Sequence, residues 1–190
     1  MKQIVTNTIN SHKKLLDIFQ NCCIDTVIEA AEMLIKCVRS GGCVYICGNG
    51  GSAADAQHIA GELVGRFKME RKAIAAVALT TDTSIITSIG NDYSYDAIFT
   101  RQVEALVCKK DLLWAFSTSG TSKNVVAAAK LAKEIGAKVL GFTGKPSTTL
   151  EEVADVCLSI DAPDTASAQQ IHQLAYHIIC DIVEQNAASK

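Results

Sequence analysis

Residues 47–62 read CGNGGSAADAQHIAGE, and they follow an apolar, β-branched run. The stretch carries three glycines within four residues and then becomes compatible with a helix, on which His58 and Glu62 stand one turn apart. Glycines let a backbone approach a ligand closely, and the free amides at a helix N-terminus attract negative charge. The order predicts a strand, an anion-binding loop and a helix, with phosphate as the ligand. A glycine-rich turn that only reverses the chain is the alternative.

The glycine loop does not match the common nucleotide-binding motifs. It lacks the Gly-Lys-Ser/Thr ending of a Walker loop, and Asn49 with the pair Gly50 and Gly51 breaks the Gly-x-Gly-x-x-Gly spacing. We therefore predict neither a nucleotide nor a redox cofactor.

Length and charge limit the class of protein. A chain of 190 residues fits one domain, which we divide into an N-terminal helical extension (1–40) and an α/β core (41–190). The net charge is −2 and the charges are interleaved, which argues against nucleic-acid and membrane partners. The N-terminus has no apolar core of signal-peptide type and no segment approaches a membrane span, so we expect a cytoplasmic protein.

The chain has eight cysteines, of which the adjacent Cys22 and Cys23 have no metal-ligand spacing. Most lie in apolar runs, where a reduced thiol behaves as a small buried hydrophobe. We expect this of Cys43, Cys47, Cys108, Cys157 and Cys180, with thiol catalysis as the minor alternative.

Hydrophobic spacing predicts the order of the elements. Residues 7–39 have helical spacing and predict two helices, and residues 166–185 predict a long final helix. Between them, short apolar runs alternate with helical segments, which indicates a parallel five-stranded sheet covered by helices on both faces. The predicted strands are 44–47, 73–79, 112–116, 138–143 and 156–160.

A second polar loop follows the strand 112–116. Residues 117–122 read STSGTS and precede a helical segment, so hydroxyls and a helix N-terminus offer neutral donors to a phosphate. Both loops follow predicted strands, at the edge where open α/β sheets bind ligands. An ordinary Ser/Thr helix cap is the alternative.

Four segments together carry a family resemblance: 47–62, 78–92, 116–122 and 169–177. In this order they resemble the SIS (sugar isomerase) domain family, and within it the isomerases of sedoheptulose 7-phosphate. The resemblance covers nearly the whole chain and implies an α/β/α sandwich with N-terminal helices used in oligomerisation. It places the following residues around the substrate: Asn49, Gly50, Gly51, Glu62, Asn91, Asp92, Ser117, Thr118, Ser119, Ser122 and Gln169.

The same resemblance implies roles for these groups. The hydroxyl loop would hold the phosphate, and Asn91 with Asp92 would bind sugar hydroxyls from a loop. Taken alone, Gly90, Asn91 and Asp92 favour a turn with a helix cap instead.

The implied reaction moves a carbonyl between C2 and C1 through a cis-enediol, with Glu62 and His177 as base and acid. It would open ADP-heptose synthesis for lipopolysaccharide core or capsule. A partly desolvated carboxylate and an imidazole suit these tasks. Taken alone, Glu62 is more typical of a solvated helix position, and His177 of a core histidine.

The resemblance further implies a homotetramer with active sites at subunit interfaces, and a zinc site. The implied zinc ligands are His58, Glu62, Gln169 and His177. Glutamine is an unusual zinc ligand, and eight residues on one helix separate Gln169 from His177 by about 12 Å of rise. A carboxylate held by zinc is also a poorer free base.

One segment departs from the family pattern. Relatives commonly show Arg-Ile-Gln-Glu where this chain has Ser167, Ala168, Gln169 and Gln170, so nearby phosphate or subunit contacts differ. A non-catalytic SIS tetramer that binds a protein partner is the alternative from another class, but such relatives tend to lose the acid and base. An isomerase of another phosphosugar is the further alternative.

Overall fold

The computed structural model describes residues 1–188, of which Ala188 is described by its backbone alone. The helices are α1 (Lys2–Cys22), α2 (Ile24–Arg39), α3 (Gly51–Val64), α4 (Thr83–Asp92), α5 (Thr100–Leu106), α6 (Lys123–Ile135), α7 (Thr149–Val153) and α8 (Thr165–Ala188). A short 3₁₀ turn spans Tyr95–Ala97. The strands are β1 (Val44–Gly48), β2 (Ala76–Ala78), β3 (Leu112–Ser117), β4 (Lys138–Thr143) and β5 (Val156–Ser159).

The strands form one sheet in which every pairing is parallel. Their order is β2-β1-β3-β4-β5, which confirms the predicted five-stranded parallel sheet. Strand β1 lies beside β3 with Gly48 opposite Phe116, so the two predicted loops leave neighbouring strands at the same edge. Strand β2 is shorter than the predicted 73–79, because the Ile74 amide bonds to the Leu63 carbonyl instead of joining the ladder.

Two hydrophobic cores cover the two faces of the sheet. Trp114 on β3 packs with helices α2, α3 and α8, whereas its neighbours Leu113 and Ala115 pack on the opposite face with α5 and α6. Side chains alternate between the faces of a strand, and all six residues of β3 are buried. The three-layer architecture is therefore confirmed.

The two N-terminal helices are confirmed, although α1 begins earlier than the predicted residue 7. Helix α1 buries only Leu15 and Phe19 against its own chain. Its large exposed apolar side chains are Ile4, Val5, Ile9, Leu16 and Ile18. This helix thus presents an apolar surface that its own chain leaves uncovered.

The cysteines are free thiols. Of the five that were expected to be buried, Cys47 and Cys180 are buried and Cys43 and Cys157 are half-buried, whereas the expectation was wrong for Cys108. Cys108 is exposed, because it follows α5 in the loop before β3 rather than entering the core. No helix within residues 1–188 is both long and apolar enough to cross a bilayer.

Candidate active site

Asn49 links the glycine loop to the hydroxyl loop. Its side-chain amide donates to the Asn124 oxygen and accepts from the Asn124 nitrogen, both at 2.9 Å. The Asn49 oxygen also accepts a hydrogen bond of 3.0 Å from the Tyr95 hydroxyl. Gly50 has φ of 58°, a left-handed conformation that suits glycine, and α3 begins at Gly51. The predicted site residue Asn49 therefore fixes the loops with its side chain and leaves the backbone to face a ligand.

Ser117 is the centre of the hydroxyl loop. Its Oγ donates to the Ser122 Oγ at 2.9 Å and lies 3.3 Å from the Ser119 Oγ. Ser122 occupies the N-cap position of α6 without a side-chain capping bond, so this network stands at a helix N-terminus where backbone amides favour an anion. A cavity of about 250 Å³ opens beside it, lined by Thr118 and Ser119 and by residues that follow β4 and β5, including Lys145.

Helices α3 and α8 run side by side in the same direction, since successive contacts advance along both. Near their beginnings, a Cβ added to Gly51 would lie 2.6 Å from the Gln169 Oε1. Further along, His58 meets His177. The structure thus places Gln169 against the glycine loop, about 12 Å of helical rise from His177.

His58, Glu62 and His177 bring their side chains together between these helices. The His58 Nε2 lies 3.0 Å from the Glu62 Oε1 and 3.4 Å from the His177 Nε2. One ligand atom from each residue lies within 4.8 Å of the others. His58 is exposed and the other two are half-buried, so the cluster is accessible from solvent.

The donor set of this cluster fits a divalent cation. At most one of the two imidazole nitrogens, which lie 3.4 Å apart, can direct a proton at the other, so at least one of them offers a lone pair that a cation can share. Two donors on a tetrahedral zinc, each about 2.0–2.1 Å from the ion, lie about 3.3–3.4 Å apart. The distance between the two histidines is therefore compatible with ligands of one metal ion.

Nearby charges and burial perturb the cluster. Partial burial lowers the pKa of His177, and the positive charges of His58 and Lys68 act in the same direction, while Glu62 opposes them. Burial also raises the pKa of Asp55, one turn before His58, to about 6, against the hydrogen bond from Tyr176. The Tyr176 hydroxyl lies 3.0 Å from the His58 Nδ1. Carboxyl and imidazole groups with perturbed pKa values are typical of acid–base sites.

A buried ion pair fixes the loop behind His177. The Phe67 ring stacks on the His177 imidazole, with centroids 5.5 Å apart. The Glu184 carboxylate accepts the backbone amides of residues 67, 68 and 69 and lies 3.3 Å from the Arg71 Nε. Both charged side chains are almost fully buried, so this loop is anchored to α8.

The family model for the SIS domain matches residues 9–144. That match covers more than half of the chain. This chain belongs to the SIS domain family.

Curated relatives of this SIS domain match it over nearly its whole length. It is 46% identical over 177 residues to a phosphoheptose isomerase from Geotalea uraniireducens, covering 93% of this chain and 94% of the relative. It is 49% identical over 160 residues to phosphoheptose isomerase 1 from Campylobacter jejuni, covering 84% and 86%.

Solved structures agree with this SIS domain in shape. The phosphoheptose isomerase from Neisseria gonorrhoeae superposes with a TM-score of 0.92 at 38% identity, covering 97% of this chain and 98% of that one. The phosphoheptose isomerase from Francisella tularensis also gives a TM-score of 0.92, at 33% identity, covering 96% and 97%.

One expectation about local structure was wrong in this SIS domain. Asn91 and Asp92 do not lie in a loop but form the last turn of α4, which is capped at its start by the Asp82 side chain. Both are exposed, and the Asn91 amide donates to the Asp92 carboxylate at 2.8 Å. The hydrophobic spacing of Ile86 and Ile89, which pack on the core, carries the helix through the segment.

Sequence reasoning missed several residues of the site. Asn124, Asp55 and Tyr176 lie next to predicted positions, but their partners are distant in sequence. Asn124 offers the one local signal, because it is an asparagine buried at the start of α6 and a buried amide needs a hydrogen-bond partner.

A larger cavity, of about 700 Å³, lies at the opposite edge of the sheet of this SIS domain. Its walls come from α2 and from the starts of β4 and β5, and they include Lys110 and Asp111. The predicted catalytic, substrate and metal residues are not among its lining residues. The larger cavity is therefore not the one beside the candidate catalytic residues.

Proposed function

We propose that this protein is a phosphoheptose isomerase, which interconverts sedoheptulose 7-phosphate and D-glycero-D-manno-heptose 7-phosphate. The observation that carries this proposal is the convergence of the Glu62 carboxylate and the His177 imidazole in one accessible cluster. The full-length similarity to phosphoheptose isomerases selects the substrate. A non-catalytic role is disfavoured, because such a role does not require an acid and a base to lie together.

The reaction needs one base and one group that moves protons between oxygens. We assign to Glu62 the removal of the proton from the carbon beside the carbonyl, which leads to the cis-enediol, and the return of a proton to the former carbonyl carbon. His177 then transfers protons between the O1 and O2 oxygens. Its lowered pKa favours the neutral imidazole, which can accept a proton from one oxygen and return it to the other.

We assign the phosphate to the hydroxyl loop, with Ser117, Thr118, Ser119 and Ser122 as donors. The network around the Ser117 Oγ and the N-terminus of α6 supports this assignment. The glycine loop, Asn91, Asp92 and Gln169 would then contact the sugar. Ser119→Ala should raise KM and weaken competition by inorganic phosphate. Ser40→Ala removes a hydroxyl at the end of α2, away from both loops, and should change neither.

We further propose that zinc is held by His58, Glu62 and His177, with Gln169 as the predicted fourth ligand. When bound, zinc would act as a Lewis acid that polarises the substrate carbonyl. Because a carboxylate bound to zinc is a weaker base, measured zinc content must accompany every activity measurement on Glu62 variants.

Helix α1 supports the proposal of a homotetramer. A 21-residue helix that buries two of its side chains against its own chain gains most of its stability from another surface. Active sites at subunit interfaces are part of this proposal. Light scattering of the full chain should give four subunits, and Ile9→Glu should shift the mass toward smaller species. A monomeric wild-type protein would contradict the assignment.

Incubation with sedoheptulose 7-phosphate in deuterated water tests the reaction. Turnover should form the aldose, and NMR should detect deuterium at the carbon that receives the transferred hydrogen. Glu62→Gln should still bind substrate and lose most activity, whereas Glu134→Gln, on an exposed turn of α6, should retain it. Absence of both turnover and exchange in the wild-type protein would reject the proposal. If this activity is confirmed, the enzyme catalyses the first step of ADP-heptose synthesis.

A further inference from the structure

The Tyr176 hydroxyl connects His58 to a second carboxylate. Its oxygen lies 3.0 Å from the His58 Nδ1 and 3.5 Å from the Asp55 Oδ1. Tyr176 is fully buried and precedes His177 on α8, while Asp55 lies one turn before His58 on α3. The Gln173 side chain also approaches the hydroxyl. His58 is thus held at Nδ1 by one set of groups and faces Glu62 and His177 with Nε2.

The proton on His58 decides what its Nε2 can do. A neutral imidazole carries one proton, so a free lone pair at Nε2 requires the proton to sit on Nδ1 and to find an acceptor. The Tyr176 oxygen can accept it while its own hydroxyl proton points to Asp55. The Asp55 Oδ2 is buried without a hydrogen-bond partner within residues 1–188. A Tyr176 hydroxyl proton directed at this carboxylate therefore stabilises its negative charge.

A hydroxyl suits this position because it can reverse its role. Without a cation, Tyr176 can donate to Nδ1, and the Nε2 proton of His58 then points at the Glu62 Oε1, 3.0 Å away. With a cation, the hydroxyl turns toward Asp55 and accepts from Nδ1. A phenylalanine keeps the edge-on ring contacts with both histidines but offers neither role.

We propose that Tyr176, supported by Asp55, is a positioning residue that holds His58 with its proton on Nδ1 and its Nε2 directed at the bound cation. The inference rests on the metal site of the proposed function. Groups behind a metal-bound histidine fix its tautomer and orientation, and their loss weakens metal affinity by about 10–100-fold.

Zinc affinity, measured by competition with a chromophoric chelator, tests the proposal. We expect Tyr176→Phe to bind Zn²⁺ at least about 10-fold more weakly than the wild-type protein. Tyr45→Phe is the matched control, because it deletes a hydroxyl that bonds to the Leu106 carbonyl on another face of the sheet. Its zinc affinity should equal that of the wild-type protein.

Two further measurements separate positioning from a general structural role. Correlation of ring protons with ring nitrogens by NMR should show His58 bound to zinc through Nε2 and protonated at Nδ1 in the zinc-loaded wild-type protein. In zinc-loaded Tyr176→Phe it should show a mixture of rings bound through Nε2 and through Nδ1. Asp55→Asn, which removes the charge behind the hydroxyl, should also lower zinc affinity. It provides the test if Tyr176→Phe does not fold.

The outcomes distinguish the two proposals. Equal zinc affinity in the wild-type protein and in either variant would overturn the role of Tyr176 and leave the zinc site standing. Absence of zinc binding by the wild-type protein would overturn both, while the isomerase assay would still test the reaction on its own.

Discussion

Asn49 and Asn124 exchange two side-chain hydrogen bonds of 2.9 Å across 75 residues of sequence. Each amide donates once and accepts once, and the Asn124 side chain is almost fully buried. The pair joins the glycine loop after β1 to the start of α6, where the hydroxyl loop ends. The relative position of the two loops therefore depends on a contact between Asn49, in the glycine loop, and Asn124, in α6.

Asn124→Ala should destabilise the fold and impair activity. The substitution removes both hydrogen bonds to the half-buried Asn49 side chain, whose nitrogen loses its Asn124 acceptor while its oxygen keeps the Tyr95 hydroxyl. A partly buried donor left without its partner costs about 1–3 kcal/mol. Urea unfolding should show this loss, and substrate KM should rise because the two loops are no longer joined. Asn186→Ala removes an exposed amide that bonds to its own helix, and should change stability by less than about 0.5 kcal/mol. Equal effects of the two substitutions would contradict the role of the pair.

The sheet could be predicted from sequence because its signals are local. Apolar runs, helical spacing and turn residues are local signals, and they predicted the sequence of helices and strands along the chain, the parallel sheet and both loops. The Tyr176 contact with His58 could not be predicted, since it joins residues 118 positions apart through the packing of α3 on α8. Asn91 and Asp92 were misplaced for another reason: turn-forming residue types gave way to the hydrophobic face of α4, which packs against the core.

Replacement of glycine by alanine should have different effects at two positions of α3, Gly51 and Gly61. A Cβ at Gly51 would collide with the end of the Gln169 side chain, which is flexible enough to move aside. Gly51→Ala should therefore fold with near wild-type stability but lose activity by up to about 100-fold, because Gln169 is displaced. No atom lies within 4 Å of a Cβ at Gly61.

Gly61→Ala should stabilise the protein by up to about 1 kcal/mol, because alanine is the better helix former at an open position. Thermal unfolding and steady-state kinetics of the two variants provide the comparison. Full activity of Gly51→Ala would show that the place of Gln169 beside the glycine loop is irrelevant to catalysis.

Glu184→Gln should be one of the most destabilising conservative substitutions in the chain. Glu184 accepts three backbone amides and faces Arg71, and these contacts hold its pKa below the ordinary value although burial opposes the shift. Its replacement leaves the buried Arg71 charge uncompensated, at a cost of about 3–5 kcal/mol. Urea unfolding at pH 7 measures the loss. Glu104→Gln breaks only an exposed pair with Arg101 and should cost less than about 1 kcal/mol.

His172 makes the stability of the protein depend on pH. Its ring is fully buried between Phe116 and Phe142, and its Nε2 donates to the Thr143 carbonyl at 3.1 Å. Burial lowers the pKa of His172 to about 4, although the bond to Thr143 opposes the shift. An unfolded histidine titrates near pH 6.5, so between these values the unfolded chain holds a proton that the folded protein excludes.

The free energy of unfolding should therefore fall by about 3 kcal/mol from this residue as the pH drops from 7 to 4, and should be insensitive to it above pH 7. Urea unfolding of the wild-type protein and of His172→Gln at intervals across that range measures the difference. The variant starts less stable at pH 7, because it loses the fit between the two rings, but its stability should decline less steeply toward pH 4. His12→Gln, on α1, should keep the wild-type slope because His172 is still present. Parallel curves for the wild-type protein and His172→Gln would show that another group controls acid stability.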